Sequence, residues 1–442
     1  MASKKFGKDQ ILAAFFDDGA YTTLFAQGAV SAAFGSANGQ PAYAVCQGGG
    51  AVSAADMAKC VKVLDMAAKT GNPVVTFYDS IGAKLAEGLD VLAASSAWVE
   101  KIGQLSGVVP QLAVVTGVCG ATSALAAASA DVCIAAEGSE LFFTAPFTSA
   151  AAGDKVEGAG SAALAAKAGV AALVAADAEQ AVLTAAKLVG MLPSNNLSSP
   201  AVFQFEAPAK ALDLVKYDAA AAAGALVDEG SAVELFGAFG ANVYTALATV
   251  GGNAVGVVAT APAGLCHTCV SKAARFVRLC DAFSIPVVTL VNSEGFVPSV
   301  TDDVAGGVRE AARLAGTYAD ATTAKVAVVT GKAVGPVYTA LANADLTIAV
   351  QGCTIAPADP KVAVTVLYKE ELEATDSIIK ATEAKAAVYA AECCSADAAV
   401  AAGVADFAVD AAQARATLVA ALDMLATKRT QRMPKKHGNM AL

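Results

Sequence analysis

The sequence predicts an α/β protein built from two tandem copies of one domain, and three observations support this. Residues 110–135, PQLAVVTGVCGATSALAAASADVCIA, have a close counterpart in residues 324–349, AKVAVVTGKAVGPVYTALANADLTIA. Short β-branched runs alternate with helical patterns, which is typical of a parallel sheet covered by helices. The segment 191–210, with three prolines and a Ser/Asn cluster, separates the copies and is typical of a linker.

The repeat has a spacing of about one domain length. The run NPVVTFYDSIG at 72–82 matches IPVVTLVNSEG at 285–295, an offset of 213 residues, and Asp131 matches Asp345 at an offset of 214. Repeats with this period are whole domains and not units of a solenoid. The duplication is either a fusion that preserved only the fold or a pseudo-two-fold molecule with related sites. We favour the second interpretation because the similarity is densest at the glycine turns.

The predicted elements follow the same order in each copy. In the first copy, AADMAKCVKVLDMAAKTG has helical spacing and is expected to end at Gly71, and PVVTFY and LAVVTG are expected to be buried strands. In the second copy, SKAARFVRLCDAF is the matching helix before the strand that begins at Pro286. The predicted domains are therefore residues 1–195 and 211–442, joined by a linker at 196–210.

Composition and charge limit the classes of function. The chain has 442 residues and a net charge of -10, so it lacks the basic surface that nucleic acid requires. Its ten cysteines form no disulfide framework and no secretory signal opens the chain, so we expect reduced thiols and a cytoplasmic location. No long uncharged apolar window is present, so no direct membrane insertion is expected. The Ala-rich run 161–192 is interrupted by charges and predicts a soluble pair of helices.

Each copy contains a turn of small residues between a strand and a helix, at 117–124 and 331–338. A helix N-terminus carries free N–H groups and the positive end of the helix dipole. Two N–H groups aimed at one point can hold a developing oxyanion, such as the enolate of a thioester. Many α/β turns are glycine-rich for steric reasons alone, so the pattern does not by itself fix the chemistry.

Two further motifs leave alternatives open. Residues 266–269, CHTC, have the spacing of half a metal site or of a redox motif, but no second CxxC is present in the sequence. We interpret CHTC as a loop before the following helix and expect no metal site. The GGG at 48–50 is either an anion-binding nest or, in the interpretation that we favour, a tight turn.

Several predictions concern single side chains. Lys272, Arg275 and Arg278 have helical spacing, which predicts a solvated face, with a phosphate-facing patch as the alternative. Trp98 and the pair 142–143, both phenylalanine, are expected to lie in the core.

Four longer stretches carry a resemblance to a known family. They are DSIGAKLAEGLDVL (79–92), SGVVPQLAVVTGVC (106–119), KAARFVRLCDAFSIPVVTLVNSEGFVP (272–298) and KHGNMAL (436–442). From about Asp17 onward the chain resembles the carboxyltransferase subunit of biotin-dependent acyl-CoA carboxylases and decarboxylases, of the propionyl-CoA carboxylase β and methylmalonyl-CoA decarboxylase α type. The resemblance implies two tandem crotonase-like domains, each a ββα superhelix of the ClpP/crotonase type, related by internal duplication.

The resemblance also implies an activity and its partners. Such subunits move a carboxyl group between biotin and the α-carbon of a CoA thioester, of the methylmalonyl/propionyl or malonyl/acetyl type. The sequence has no AMKM biotin-acceptor motif, so biotin is expected on a separate biotin carrier protein. Further implied partners are a biotin carboxylase or the membrane subunits of a decarboxylase, to which a cytoplasmic chain would be peripheral. The implied homo-oligomer is a hexamer or a smaller ring, with acyl-CoA on the first domain and biotin on the second.

The site residues follow from the resemblance position by position. The family's GGAR turn falls on 81–84, its CAGGA motif on 119–123 and its KAYGGAY motif on 332–338. The implied substrate-binding residues are Gly82, Ala83, Lys84 and Gly120. The implied catalytic residues, which offer backbone N–H groups to the thioester and to biotin, are Ala121, Thr122, Gly335 and Val337. Lys84 replaces an arginine and can attract a CoA phosphate only as a point charge.

The chain departs from the family pattern at both turns. The double glycine of the first turn is replaced by Ala121–Thr122, and the second turn contains Pro336, which has no N–H to donate. These departures leave a catalytically degenerate subunit that binds acyl-CoA or organises a complex as the alternative. A crotonase-type hydratase is disfavoured because no pair of glutamates lies at the turns.

Overall fold

The structure is a computed structural model that describes residues 6–430, 434, 435 and 438. The closing KHGNMAL motif, with His437, therefore lies outside the described residues except for Gly438. Within the described part, no helix is long and apolar enough to span a bilayer.

The chain divides into two compact units. The first runs to Ala201 and includes Phe236–Phe239, and the second comprises Val202–Leu235 and continues from Gly240. The division between them falls inside the three-proline segment 191–210.

The first unit has one mixed sheet of eight strands in the order β1-β2-β3-β4-β5-β6-β8, and β7 pairs with β5 beside this path. Pairing is antiparallel from β1 to β3 and parallel from β3 onward. The strands are β1 (Tyr21–Phe25), β2 (Val30–Ala37), β3 (Gln40–Gln47), β4 (Val74–Ser80), β5 (Gln111–Gly120), β6 (Val132–Ala136), β7 (Glu140–Phe142) and β8 (Leu173–Ala175). The helices are α1 (Lys8–Phe15), α2 (Ala54–Thr70), α3 (Leu89–Leu105), α4 (Thr122–Ala128), α5 (Pro146–Ala151), α6 (Ala162–Lys167) and α7 (Ala178–Met191), with 3-10 turns at Asp17–Gly19 and Leu85–Glu87.

The second unit repeats this plan with a seven-stranded sheet in the order β19-β17-β15-β13-β11-β10-β9 and two short parallel pairs, β12–β14 and β16–β18. Its strands are β9 (Val233–Glu234), β10 (Val243–Val250), β11 (Asn253–Thr260), β12 (Gly264–Leu265), β13 (Val287–Val291), β14 (Gly295–Phe296), β15 (Lys325–Val329), β16 (Lys332–Val334), β17 (Leu346–Val350), β18 (Thr354–Ala356) and β19 (Phe407–Val409). Its helices are α8 (Ala219–Gly224), α9 (His267–Ala282), α10 (Val300–Val304), α11 (Gly307–Asp320), α12 (Pro336–Leu341), α13 (Pro360–Leu367), α14 (Lys369–Glu373), α15 (Ile378–Cys393), α16 (Ala396–Ala401) and α17 (Ala414–Leu425), with a 3-10 turn at Ala411–Gln413.

The turn after the first parallel strand has the same hydrogen bonds in both units. The amide of Gly82 donates to Ser80 Oγ at 3.0 Å, and the amide of Gly295 donates to Ser293 Oγ at 3.2 Å. In both units the serine hydroxyl also donates to a carbonyl about thirty residues earlier in the chain. The predicted duplication is therefore confirmed at the level of individual contacts.

The next strand is fixed in the same way in both units. The amide of Gln111 donates to Asp131 Oδ2 at 2.8 Å, and the amide of Lys325 donates to Asp345 Oδ2 at the same distance. These two aspartates are the pair that the sequence repeat aligned. Each carboxylate ties the start of one strand to the start of the next, so a conserved offset in sequence corresponds to a repeated structural role.

One glycine in each unit is explained by close packing. A Cβ atom on Gly117 would lie 2.2 Å from Asp79 Oδ1, and a Cβ atom on Gly331 would lie 2.2 Å from Asn292 Oδ1. The Asp79 side chain accepts the amide of Val118 at 3.2 Å, so a larger residue at position 117 would disrupt this contact. The glycine that ends the VVTG run is therefore a steric requirement of the fold.

Helix α2 begins and ends where the sequence predicts. Ser53 and Asp56 form a capping box, in which the amide of Asp56 donates to Ser53 Oγ at 3.1 Å. Gly71 closes the helix with φ of 67°, in the left-handed region that glycine adopts at little cost. The predicted helix end at Gly71 is confirmed.

Three local predictions differ from the structure. The run 161–192 contains α6 and α7, but strand β8 lies between them and pairs with β6. CHTC is not a loop, because Cys266 is the N-cap of α9 and the next three residues form its first turn. Trp98 is buried as expected, whereas Phe143 is 70% exposed because it follows the last residue of the edge strand β7.

Lys272 was predicted to be solvated, but its side chain is buried in α9. This burial predicts that the free energy of unfolding depends on pH. Burial lowers the pKa of Lys272 from 10.5 to about 8, with Glu234 and Cys269 opposing the change. Between these two values the unfolded chain holds more protons than the folded chain, so the free energy of unfolding should rise with pH. Urea unfolding at about pH 7 and about pH 9.5 measures this rise. Lys272→Met should be more stable than the wild type at about pH 7 and should lack the rise; equal pH slopes for the two proteins would contradict the prediction.

Candidate functional site

The first turn of the candidate site follows β4 and contains Gly82, Ala83 and Lys84. Ala83 pairs with Val52 in a parallel bridge. This bridge uses the carbonyl of Gly82 and the amide of Lys84, both at 2.9 Å from Val52. The amide of Ala83 is not part of the bridge, and no acceptor for it is found among residues 6–430.

Lys84 lies at the edge of a cleft of about 780 Å³ in the first unit. Its Nζ lies 3.2 Å from Glu87 Oε1, and its side chain is about half exposed. An exposed ion pair of this kind contributes little and exchanges readily with another anion. A second ammonium, that of Lys59, lines the same cleft and lies 2.7 Å from Asp56 Oδ1. The cleft therefore presents two cations beside the turn.

The second turn of the site joins β5 to α4 through Ala121. This residue has φ of 49° and ψ of -119°. Its amide donates to the carbonyl of Phe142 at 3.0 Å, so it is already occupied. The first helical bond runs from Leu125 to the Ala121 carbonyl at 3.1 Å. In the described part of the chain, the amides of Thr122 and Ser123 have no backbone acceptor.

This arrangement differs from the expectation that the Ala121 amide points to a ligand. The cause is the short parallel pairing of β5 with β7, in which Gly120 lies opposite Phe142. A Cβ atom on Gly120 would lie 2.9 Å from the Phe142 ring, so Gly120 serves close packing. The donor that the turn offers is therefore one residue later, at Thr122.

The two turns lie at the same edge of the sheet. Strands β4 and β5 are parallel neighbours, and Ser80 pairs with Cys119 at their carboxyl ends. Ala83 lies three positions after Ser80, and Thr122 lies three positions after Cys119. The two amides without an acceptor therefore follow adjacent strand ends, which is the placement that an oxyanion site requires.

The corresponding turn of the second unit has the same backbone. Gly335 has φ of 54° and ψ of -126°, and its amide donates to the carbonyl of Ala356 at 2.8 Å. Gly335 and Ala356 each lie 214 residues after their counterparts Ala121 and Phe142. The Gly335 amide is therefore occupied as well, contrary to its expected role as a donor to a ligand.

At the position that matches Thr122, the second unit has Pro336 at the first position of α12. Proline is tolerated at the first helical position because that N–H has no partner within the helix. The next residue, Val337, has a buried side chain and keeps its amide. The Gly335–Pro336 turn of the second unit thus lacks the donor that the Ala121–Thr122 turn of the first unit has at Thr122.

A largely apolar cleft of about 890 Å³ adjoins the Gly335–Pro336 turn of the second unit. Gly335 and Pro336 border it. Other residues that line it are Phe296, Val308, Ile355 and Val404. The cleft is large enough for a ring-sized ligand group and offers few polar contacts.

The backbone of Ala121 gives a prediction for stability. A non-glycine residue at positive φ is strained, and the matching residue of the second unit is glycine. Ala121→Gly should therefore raise the free energy of unfolding by about 1 kcal/mol, measured by urea denaturation. The matched control is Ala127→Gly inside α4, which should lower the free energy of unfolding by about 1 kcal/mol. Equal losses in both variants would show that Ala121 is not strained.

The duplicated sheet and its paired strand–turn–helix sites define a crotonase-like carboxyltransferase fold. The chain belongs to the carboxyl transferase domain family, whose model matches residues 8–440. It is 33% identical to the methylmalonyl-CoA carboxyltransferase 12S subunit of Propionibacterium freudenreichii subsp. shermanii, over 92% of this chain and 82% of that one. It is 31% identical to the methylmalonyl-CoA decarboxylase subunit alpha of Veillonella parvula, over 92% and 84%.

A solved structure agrees with this assignment. The crystal structure of transcarboxylase 12S, a hexamer with methylmalonyl-coenzyme A and methylmalonic acid bound, superimposes with a TM-score of 0.93. The match covers 99% of this chain and 92% of that chain at 30% identity. The predicted family and the predicted fold class are therefore confirmed.

Proposed function

We propose that this chain is the carboxyltransferase subunit of a biotin-dependent acyl-CoA carboxylase or decarboxylase. It moves a carboxyl group between the α-carbon of a CoA thioester and biotin on a separate carrier protein. The main support is the pair of amides without an acceptor, on Ala83 and Thr122, at the ends of adjacent strands in a member of this family. Methylmalonyl-CoA or malonyl-CoA is the proposed class of substrate.

In this proposal the first unit binds the thioester. The amides of Ala83 and Thr122 donate to the thioester oxygen, whose negative charge grows when the α-carbon loses or gains a carboxyl group. Donors held in place by a helix start and a strand end need no reorganisation during this change. Gly82 allows the backbone to approach the ligand, Gly120 leaves room for the Phe142 ring that supports the turn, and Ala121 sets the direction of the Thr122 amide.

One of the two lysines of the 780 Å³ cleft has a supporting role. Lys84 can exchange its exposed contact with Glu87 for a phosphate of coenzyme A, as a point charge. Lys59 is held beside Asp56, which lines the same cleft, so this pair adds no net charge. Lys84 is therefore the cation that is available to a phosphorylated ligand.

The second unit takes the biotin side in this proposal. In one direction carboxybiotin supplies the carboxyl group, and in the other direction biotin receives it. The apolar cleft of about 890 Å³ suits a ring without charge. Val337, which follows the cleft-lining Pro336, offers the amide that remains at the start of α12. Gly335 orients the start of α12, and Pro336 withholds a donor at this point.

The proposed assembly is a homo-oligomer, a hexamer or a smaller ring, that works with a biotin carrier protein. A biotin carboxylase or membrane decarboxylase subunits would complete the system, and the reaction would take place in the cytoplasm. No membrane-spanning helix is found in the described residues.

The decisive experiment incubates the purified chain with methylmalonyl-CoA or malonyl-CoA, with and without a biotin carrier protein or free biotin. We expect the decarboxylated thioester to form only when biotin is present, as measured by chromatography of the CoA esters. If neither thioester is turned over, the proposal that the chain is an enzyme is contradicted.

The second candidate is a catalytically degenerate subunit that binds acyl-CoA or organises a complex. The absence of a donor at Pro336 favours it. It predicts that calorimetry detects binding of the CoA thioester to a chain that shows no turnover with any biotin source. Turnover that depends on biotin would exclude it.

A further inference from the structure

Two thiols meet at the start of helix α9. Cys266 is the N-cap, Cys269 is the third residue of the helix, and their Sγ atoms lie 3.1 Å apart. Cys266 is partly exposed, whereas Cys269 is buried. A reactive pair needs this combination, because one thiol must be accessible to a reagent and the other must be able to reach it.

The first unit shows how the backbone creates this contact. The residues that lie 213 positions earlier are Ser53 and Asp56, the capping box of α2. There, Ser53 Oγ lies 2.7 Å from Asp56 Oδ2. The same backbone positions therefore bring two side chains into contact in both units. In the second unit the two polar capping groups are replaced by thiols, and α9 has no side-chain cap bond.

The surroundings of Cys266 favour a thiolate. Burial opposes the charge, but the Thr268 hydroxyl and the Cys269 thiol, together with the nearby amides of Thr268 and Cys269, outweigh it and lower the pKa of Cys266. Helix α9 has 16 residues, so its dipole adds to this effect. Burial, together with the contact to Cys266, raises the pKa of Cys269.

Two other ionisable side chains at this helix start, His267 and Asp302, are paired with each other. The His267 amide donates to Asp302 Oδ1 at 3.1 Å, and His267 Nδ1 lies 2.6 Å from the same oxygen. The corresponding amide of α2, on Ala54, donates to Glu87. A carboxylate therefore caps the first amide in each unit, which leaves the later amides of α9 for the sulfur atom.

We propose that Cys266 and Cys269 form a thiol–disulfide exchange site that reacts with low-molecular-weight disulfides of the glutathione type. Cys266 is the attacking thiol and Cys269 is the resolving thiol. The proposal is independent of the carboxyl-transfer function.

The exchange has two balanced steps. The Cys266 thiolate attacks one sulfur of the disulfide, a mixed disulfide forms, and the other half leaves as a thiolate that takes up a proton. Cys269 then loses its proton and attacks Cys266 Sγ, the intramolecular disulfide forms, and the second half leaves as a thiol. In total, two protein thiols are oxidised and one disulfide is reduced to two thiols.

Short strands connect this pair of thiols to the Gly335–Pro336 turn of the same unit. Cys266 directly follows β12, and β12 pairs with β14 through Leu265 and Phe296. Phe296 lines the apolar cleft together with Gly335. An intramolecular disulfide would therefore form at the end of β12, whose partner strand β14 borders this cleft.

The test uses the native full-length chain in buffers of oxidised and reduced glutathione, followed by alkylation and tryptic mass spectrometry. Trypsin should release residues 217–272, which contain no internal Lys or Arg and only the two cysteines Cys266 and Cys269. We expect this peptide to become two hydrogen atoms lighter as the oxidised fraction of the buffer rises, and to return in reducing buffer. A peptide that stays fully reduced while Cys393 is modified would overturn the proposal.

Single variants assign the two roles. Cys269→Ser should accumulate a stable mixed disulfide with glutathione on Cys266, because no resolving thiol remains. In Cys266→Ser, the remaining Cys269 should react with oxidised glutathione at least about ten-fold more slowly than Cys266 does in Cys269→Ser, because Cys269 is buried. Cys393→Ser, which removes an exposed cysteine at the end of α15, is the control and should leave the peptide's oxidation unchanged. Equal reactivity of the two single variants would refute the assigned roles.

A double variant separates redox chemistry from folding. Cys266→Ser with Cys269→Asp rebuilds the capping box that α2 has, so it should fold and melt at or above the temperature of the reduced wild type. Its melting temperature should not change between reducing and oxidising glutathione buffers, whereas that of the wild type should. A wild type without any difference between the two buffers, together with an unmodified peptide, would contradict the proposal.

Discussion

Replacing Thr122 with proline is expected to lower kcat by about 10²- to 10³-fold, the usual effect of losing one oxyanion donor. The change removes the N–H that the proposed mechanism directs at the thioester. The side chain is not the cause, so Thr122→Ala should keep most of the activity. The measurement is steady-state turnover of the CoA thioester at saturating biotin, with KM recorded separately.

The fold should tolerate this change, because the second unit has proline at the matching position. Gly335, which precedes that proline, has φ of 54° and ψ of -126°, close to the 49° and -119° of Ala121. The variant Ala121→Gly with Thr122→Pro copies that pair and guards against strain before the proline. Ala121→Gly alone is its control. Full activity in the double variant, or an equal loss in Thr122→Ala, would exclude the Thr122 amide as a donor.

Replacing Pro336 with alanine is expected to raise the rate of biotin-dependent transfer by about 10- to 100-fold. The substitution adds an N–H at the first position of α12, beside the apolar cleft. A donor at this point could stabilise charge on the biotin ring, and the second turn lacks one. The measurement is thioester turnover with free biotin as the varied substrate.

A matched control is available in α13. Pro360 also occupies the first position of a helix, and it does not border the cleft. Pro360→Ala makes the same chemical change elsewhere and should leave turnover as it is. If Pro336→Ala is no faster than Pro360→Ala, the biotin side does not depend on a donor at this position.

Local signals in the sequence were sufficient for much of the fold. Gly71 ends α2 because a left-handed residue is needed there, and the duplicated VVTG runs became parallel strands in both units. The repeat at offsets of 213 and 214 identified residues with the same role, as Asp131 and Asp345 show. These features depend on short-range geometry, which a sequence displays directly.

The occupied amides of Ala121 and Gly335 could not be found in this way. Their acceptors, Phe142 and Ala356, lie 21 residues further along the chain and reach the turn only through the pairing of short strands. Helical spacing likewise placed Lys272 on a face of α9 but could not show what covers that face. Both errors concern contacts between segments that are distant in sequence.

Since one chain contains both versions of the same architecture, each half serves as a reference for substitutions in the other. Three pairs of equivalent positions differ in residue type on a similar backbone: Ala121 and Gly335, Thr122 and Pro336, and Ser53 and Cys266. Grafting a residue from its counterpart is therefore a route to altering chemistry with little risk to folding. Chimeras made on this principle would separate what the scaffold demands from what each half has acquired by divergence.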